Sequence, residues 1–74
     1  MPRLPRVPGR RVARALERAG FKLCCVRGDH GYYTHPVTGR NATVPLTNDV
    51  LPVGTLANTL RQAGLTADEF RRLL

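Results

Sequence analysis

The chain has no tryptophan, one methionine, two cysteines and only five acidic residues among its 74 positions. No apolar run approaches the roughly 20 residues that span a bilayer, so we expect no membrane segment. The start, MPRLPRVPGR, carries charge but no apolar stretch, which does not fit a secretory signal and favours a cytoplasmic protein. No CxxC spacing occurs, so a zinc motif is missing and we expect neither a metal nor a small-molecule cofactor.

The two cysteines, Cys24 and Cys25, are neighbours in a segment that has the composition of a strand. Neighbouring strand residues point to opposite faces, so a disulfide between these two is geometrically poor. We therefore expect two reduced, small and partly buried residues in a reducing compartment.

The scarcity of acidic residues leaves a net charge of +7 and an isoelectric point near 11.1. Lys22 is the only lysine, so almost all of the positive charge is carried by arginine, whose planar fork suits phosphate. This balance favours a nucleic acid or an acidic protein as partner, with an anionic membrane surface as the remaining alternative. A chain this short buries only about 60% of its unfolded surface, which favours a shallow surface site over a deep pocket.

The order of patterns along the chain predicts one domain over residues 1–74. Its residues 1–8 are expected to form an extended arm rich in proline and arginine. Helical spacing of apolar residues, turn signals and β-favouring segments divide the rest of the chain. The predicted elements are a helix over 9–19, strands over 21–27, 30–35 and 41–46, a helix over 55–64 and a last helix capped by Thr66 with Glu69.

This order predicts a small α+β fold with a three-stranded antiparallel sheet and the helices packed on one of its faces. Alternation places Tyr33 with His35 on one side of the second strand, and His30 with Tyr32 on the other. Alternation alone leaves open which side faces the core. In the first helix, an outer row of Arg11, Arg14 and Arg18 fits a solvated face, and also fits contact with RNA or an acidic partner.

Several short segments follow one another along the chain. A short arm and helix end in "AGF", a strand leads to "GDH", "HP" and "GR" precede "TVPL", and "GTLANTLRQAGLTADEF" comes last. In this order the segments resemble the HicA family of toxins from bacterial type II toxin–antitoxin pairs, which has Gly-Ser-His in place of "GDH". The resemblance implies a fold like the double-stranded RNA-binding domain, an endoribonuclease that cleaves mRNA with one histidine, and a HicB-type antitoxin as its inhibitor. Carried to this chain, the catalytic histidine is His30, and no catalytic function passes to His35.

The chain departs from the family's pattern at three positions: Asp29 replaces a serine, Gly31 replaces a residue with a side chain, and Thr47 lies where a histidine is often found. Asp29 is the most serious departure because a carboxylate repels phosphate. It could instead form a hydrogen bond to a histidine or cap the turn. Because serine removes this repulsion, Asp29→Ser should raise activity. If Asp29 instead orients His30, the same change should lower activity.

A metal-independent ribonuclease uses the ribose 2′-OH as its nucleophile, and a histidine can take up or give back the proton near neutral pH. We assign His30 one such proton transfer. Cationic side chains stabilise the charge that develops on phosphorus, and the candidates are Lys22, Arg27 and Arg40. Gly28, Asp29 and Tyr32 complete the set of residues expected at the RNA.

Other interpretations fit the residues alone. His30 could simply cap its own turn, and the two tyrosines fit one core and one exposed aromatic residue. The whole chain could be a non-catalytic RNA-binding module, an inactive member of the family, or an interaction protein whose basic face meets an acidic partner.

Overall fold

The structure, a computed structural model, describes residues 4–74 and confirms the predicted α-β-β-β-α-α order. Its elements are α1 (Gly9–Arg18), β1 (Lys22–Arg27), β2 (His30–Thr34), β3 (Asn41–Pro45), α2 (Val53–Ala63) and α3 (Ala67–Leu73). The three antiparallel strands form one open sheet in the order β1-β2-β3. The predicted ends differ most at α2, which begins at Val53 rather than at residue 55. Within 4–74, no helix has both the length and the apolarity needed to cross a membrane.

The apolar stripe of α1 forms the centre of the core, because Val12, Ala15 and Leu16 are completely buried. Phe70 of α3 is also completely buried, although α3 is only two turns long. The other buried apolar side chains come from α1, β2, β3 and α2, from the segment before α1 and from two connecting segments. They are Val7, Ala13, Phe21, Tyr33, Ala42, Val44, Leu51, Leu56, Leu60 and Ala63.

The burial pattern along β2 settles which face of the sheet meets the helices. Gly31 and Tyr33 are buried, whereas His30 and Tyr32 are exposed, so the helices cover the Tyr33 side. We call the other side, which carries Arg27, His30, Tyr32 and Thr34, the open face. Tyr33 is 4% exposed and Tyr32 is 37% exposed, which confirms one core and one exposed tyrosine.

Strand β1 contains a β-bulge that the sequence pattern did not indicate. Leu23 pairs with Tyr33 and Cys25 pairs with Tyr32, so Cys24 is an extra residue in the register. The Cys24 Sγ lies 2.9 Å from the hydroxyl of Thr34, which belongs to the open face. Both cysteines are exposed, so the expectation that they are partly buried was wrong.

The expectation that the two thiols point to opposite faces was also wrong, because the extra residue resets the alternation. Cys25 shares the side of its cross-strand partner Tyr32, and Cys24 contacts Thr34 on that same side. A mutual disulfide is still disfavoured, because adjacent Cα atoms are about 3.8 Å apart and disulfides need at least about 4.4 Å.

The part of the predicted arm that the structure describes is anchored to the domain. Val7 is buried, and its carbonyl accepts a hydrogen bond from the Leu51 amide at 3.1 Å. Pro8 has extended backbone and pairs with Val50. Residues 1–3 of the predicted arm lie outside the described residues.

The predicted capping box at α3 is confirmed. The Thr66 hydroxyl accepts from the Glu69 amide at 3.1 Å, and the Glu69 carboxylate accepts from the Thr66 amide at 2.9 Å. The hydrogen bond from the Thr66 backbone, followed by the one from its side chain, holds the pKa of Glu69 below its ordinary value.

Candidate functional site

The tight turn between β1 and β2 positions the candidate site. Gly28 has a φ of 61°, the left-handed region that glycine enters without the steric cost of a Cβ. This turn lets Arg27 and His30 pair directly across the two strands. Paired residues of an antiparallel sheet share a face, so both side chains lie at one end of the open face.

The imidazole of His30 is held by its neighbour in the turn. Its Nδ1 lies 2.9 Å from the Asp29 Oδ1. A carboxylate can only accept, so Nδ1 carries the hydrogen of this contact and the lone pair of a neutral ring lies on Nε2. Of the two possibilities that the sequence left open for Asp29, a hydrogen bond to histidine is the one that the structure displays.

Arg27 and Tyr32 complete the group around His30. The Arg27 Cζ lies 5.9 Å from the centre of the Tyr32 ring, within the range of a cation–π contact. Within residues 4–74, Arg27 forms no salt bridge with a carboxylate. The guanidinium is therefore available to an anion that approaches His30.

Two of the cationic residues expected at the site lie elsewhere. Lys22 pairs with Thr34, four residues along β2 from His30, which is a distance of about 13 Å at ordinary strand rise. The Arg40 guanidinium lies over Gly64 and points an NH group at the Gln62 carbonyl, 3.5 Å away. The structure thus brings Arg27, Gly28, Asp29 and Tyr32 to His30, and it does not bring Lys22 or Arg40 there.

His35 makes contacts of a structural kind. Its Nδ1 accepts from the amides of Val37 and Thr38 at 3.1 and 3.3 Å, so its Nε2 carries the hydrogen and donates to the Ala19 carbonyl at 3.2 Å. The ring also packs edge-on against Phe21 at a centroid distance of 5.1 Å. Both ring nitrogens of His35 therefore have hydrogen-bond partners within the protein, whereas His30 has one at Nδ1.

The packing explains why Gly31 has no side chain. A Cβ at this position would lie 2.9 Å from the Tyr33 ring and 3.2 Å from a methyl group of Leu46. Gly31 is buried on the helix-covered side, so this departure from the family's pattern leaves the open face unchanged.

The sequence pattern missed that both thiols adjoin the open face, and only the bulge reveals it. Between residues 4 and 74, no cluster of three or more His, Cys, Asp or Glu side chains is arranged to hold a metal ion.

The fold and the site define a small basic α+β protein with an exposed histidine–aspartate pair at one end of its sheet. A model of the family described as HicA toxin of bacterial toxin–antitoxin matches residues 9–65, which is most of the chain. The chain belongs to the HicA toxin family, and an antitoxin is therefore the kind of protein partner expected for it. No curated protein matches the chain.

Proposed function

We propose that this chain is a metal-independent endoribonuclease that cleaves mRNA, with His30 as its proton-transfer group. The observation that carries the proposal is the exposed His30 imidazole, bonded through Nδ1 to Asp29 at 2.9 Å and paired across the strands with Arg27. Membership of a toxin family supports an activity that harms the cell when no antitoxin is present.

In the proposed step, the Nε2 of His30 takes the proton of a ribose 2′-OH while that oxygen attacks the adjacent phosphorus. The bond from phosphorus to the 5′-oxygen breaks, and the leaving oxygen takes a proton from water at this exposed face. The products are a 2′,3′-cyclic phosphate and a free 5′-OH. Asp29 fixes the ring with Nε2 outward, and Arg27 stabilises the negative charge on the phosphoryl oxygens.

The open face also suits the rest of the substrate. The net charge of +7 attracts a polyanion, and Tyr32 offers an exposed aromatic surface on which a base can stack. No deep pocket is needed, because a phosphate of single-stranded RNA can approach a side chain at the mouth of a turn.

The substrate's 2′-OH provides the direct test of this proposal. We expect the purified chain to cut a short RNA in the presence of EDTA and to leave 2′,3′-cyclic phosphate ends. The same RNA with 2′-O-methyl groups at every position should stay intact. Cleavage of the methylated RNA, or loss of cleavage in EDTA, would contradict the chemistry. Binding of RNA without cleavage would favour the non-catalytic RNA-binding module.

The antitoxin partner is proposed to be of the HicB type and to cover His30 in the cytoplasm. A shallow site is blocked most simply by a protein that sits on it. Hydrogen exchange of backbone amides in the complex should therefore slow over residues 27–40. Unchanged exchange in this range would instead indicate inhibition from a distance.

A further inference from the structure

A second basic feature lies on α1, outside the group around His30. Arg10, Arg11 and Arg14 are exposed and line an open groove of about 320 Å³ together with Pro8 and Asn48. We call this the arginine groove.

Within residues 4–74, none of the three guanidinium groups of the groove has a hydrogen bond or ion pair with another residue. Three other helical arginines differ. Arg18 donates to the Leu73 carbonyl at 2.7 Å, Arg61 donates to the Asn58 side-chain oxygen at 2.8 Å, and Arg71 pairs with Asp68 at 2.7 Å. The guanidinium groups of the groove are therefore left for an external ligand.

The placement of these charges is unfavourable for the isolated protein. The first turn of α1 contains no acidic residue, so Arg10 and Arg11 stand uncompensated at the positive end of the helix dipole. Arg10 and Arg14 are also one turn apart, and like charges at that spacing destabilise a helix. A bound anion would relieve both effects, whereas a cation or an apolar ligand would relieve neither.

The arginine groove lies at the same end of the molecule as His30. The Arg10 amide donates to the Thr47 carbonyl at 3.1 Å, and Gly9 lies directly against the Pro45 carbonyl. Pro45 is the cross-strand partner of His30, and the next amide, that of Leu46, donates to the Asp29 carbonyl. One short segment, residues 45–47, thus separates the open face from the groove.

We propose that the arginine groove binds backbone phosphates of the same RNA that is cut at His30, a few nucleotides from the scissile bond. The inference rests on the proposed function and extends it from a single reacting phosphate to several bound phosphates along the same RNA strand. RNA is the occupant that the observations favour, because only residues 45–47 separate the groove from the open face on which the reacting phosphate is proposed to lie. The guanidinium forks also match phosphate oxygens.

The test compares two double variants that remove equal charge. Arg10→Gln/Arg14→Gln changes the groove, and Arg61→Gln/Arg72→Gln changes α2 and α3 as the control. Affinity for a single-stranded RNA is measured at several salt concentrations, on protein shown to be folded by circular dichroism. Loss of two phosphate contacts should reduce the magnitude of the negative slope of log K against log[salt] by about 1.4, and the control variant should reduce it by clearly less.

Three outcomes separate this inference from the proposed function. A smaller slope for the groove variant, with a loss of kcat/KM that grows with RNA length, supports the groove. Equal slopes for the two variants overturn it, and cleavage of RNA by the parent protein then leaves the proposed function standing. A groove variant that binds RNA like the parent but loses affinity for the antitoxin also overturns it, because the groove is then a protein-binding surface.

Discussion

Replacing Asp29 separates two opposite effects of one carboxylate. The Asp29 side chain holds the Nδ1 of His30 at 2.9 Å, and it also places a negative charge beside the proposed phosphate position. In Asp29→Asn or Asp29→Ser, the charged acceptor for the imidazole is lost and the repulsion of phosphate is removed. We therefore expect both kcat and KM to fall.

The exposure of the two side chains sets the size of the fall in kcat. A shielded hydrogen bond to a charged group contributes about 1.5–3 kcal/mol. The two side chains of this contact are 48% and 71% exposed. Exposed pairs contribute only about 0.2–1 kcal/mol, and we take the upper half of that range, about 0.5–1 kcal/mol. Since 1.36 kcal/mol is tenfold in rate, kcat should fall by about two- to fivefold.

The assay is steady-state cleavage of a short fluorescent RNA, with kcat and KM determined separately. Asp68→Asn is the matched control, because it removes the same charge from α3, where Asp68 pairs with Arg71 and does not touch His30. An Asp29→Asn variant with an unchanged or raised kcat would refute the orienting contact. The carboxylate would then act only as a source of repulsion.

Three further predictions concern stability and binding. Gly9→Ala should lower the free energy of unfolding by about 3 kcal/mol in urea titrations, because its Cβ would overlap the Pro45 carbonyl, whereas Gly54→Ala, where no atom lies within 4 Å, should be neutral or stabilising. Thr66→Ala should cost about 1 kcal/mol at neutral pH. Because the folded-state pKa of Glu69 is lowered from 4.5, the parent loses stability as the pH falls through that lowered pKa, and Thr66→Ala should lose less there; equal acid sensitivity would argue against the capping box. RNA affinity should fall steeply with salt, and a flat response would exclude phosphate contacts as its source.

The sequence predicted most of the architecture because its local signals agree with one another. The apolar stripe at Val12 and Leu16, the Gly28 turn and the Thr66 cap each specify structure through contacts of a few residues. Alternation also predicted correctly that His30 and His35 lie on opposite sides, because side chains alternate along a strand: His30 is exposed on the open face and His35 contacts Ala19 and Phe21. Which face was covered depended on helix packing, and a single strand carries no signal for that.

Which residues meet at the site was less predictable, because that also depends on how the helices and strands pack in the folded chain. Arg27 reaches His30 through a two-residue turn, which can be read from the sequence, whereas Arg40 points toward α2 through contacts made only in the folded chain. The bulge at Cys24 depends on how β1 pairs with β2, and an uninterrupted alternation pattern could not reveal it. The proximity of the arginine groove to residues 45–47 likewise arises from tertiary packing.

The most direct measurement is the rate at which purified His30→Ala, shown to be folded by circular dichroism, cleaves RNA. His35→Ala serves as the comparison, because its contacts with Ala19 and Phe21 are structural. Loss of a proton-transfer group should lower the rate by about 10²–10⁴ and abolish growth inhibition on expression, while His35→Ala keeps its activity or loses it only through stability. A folded His30→Ala protein that cleaves RNA at the parent rate would contradict the assignment of His30.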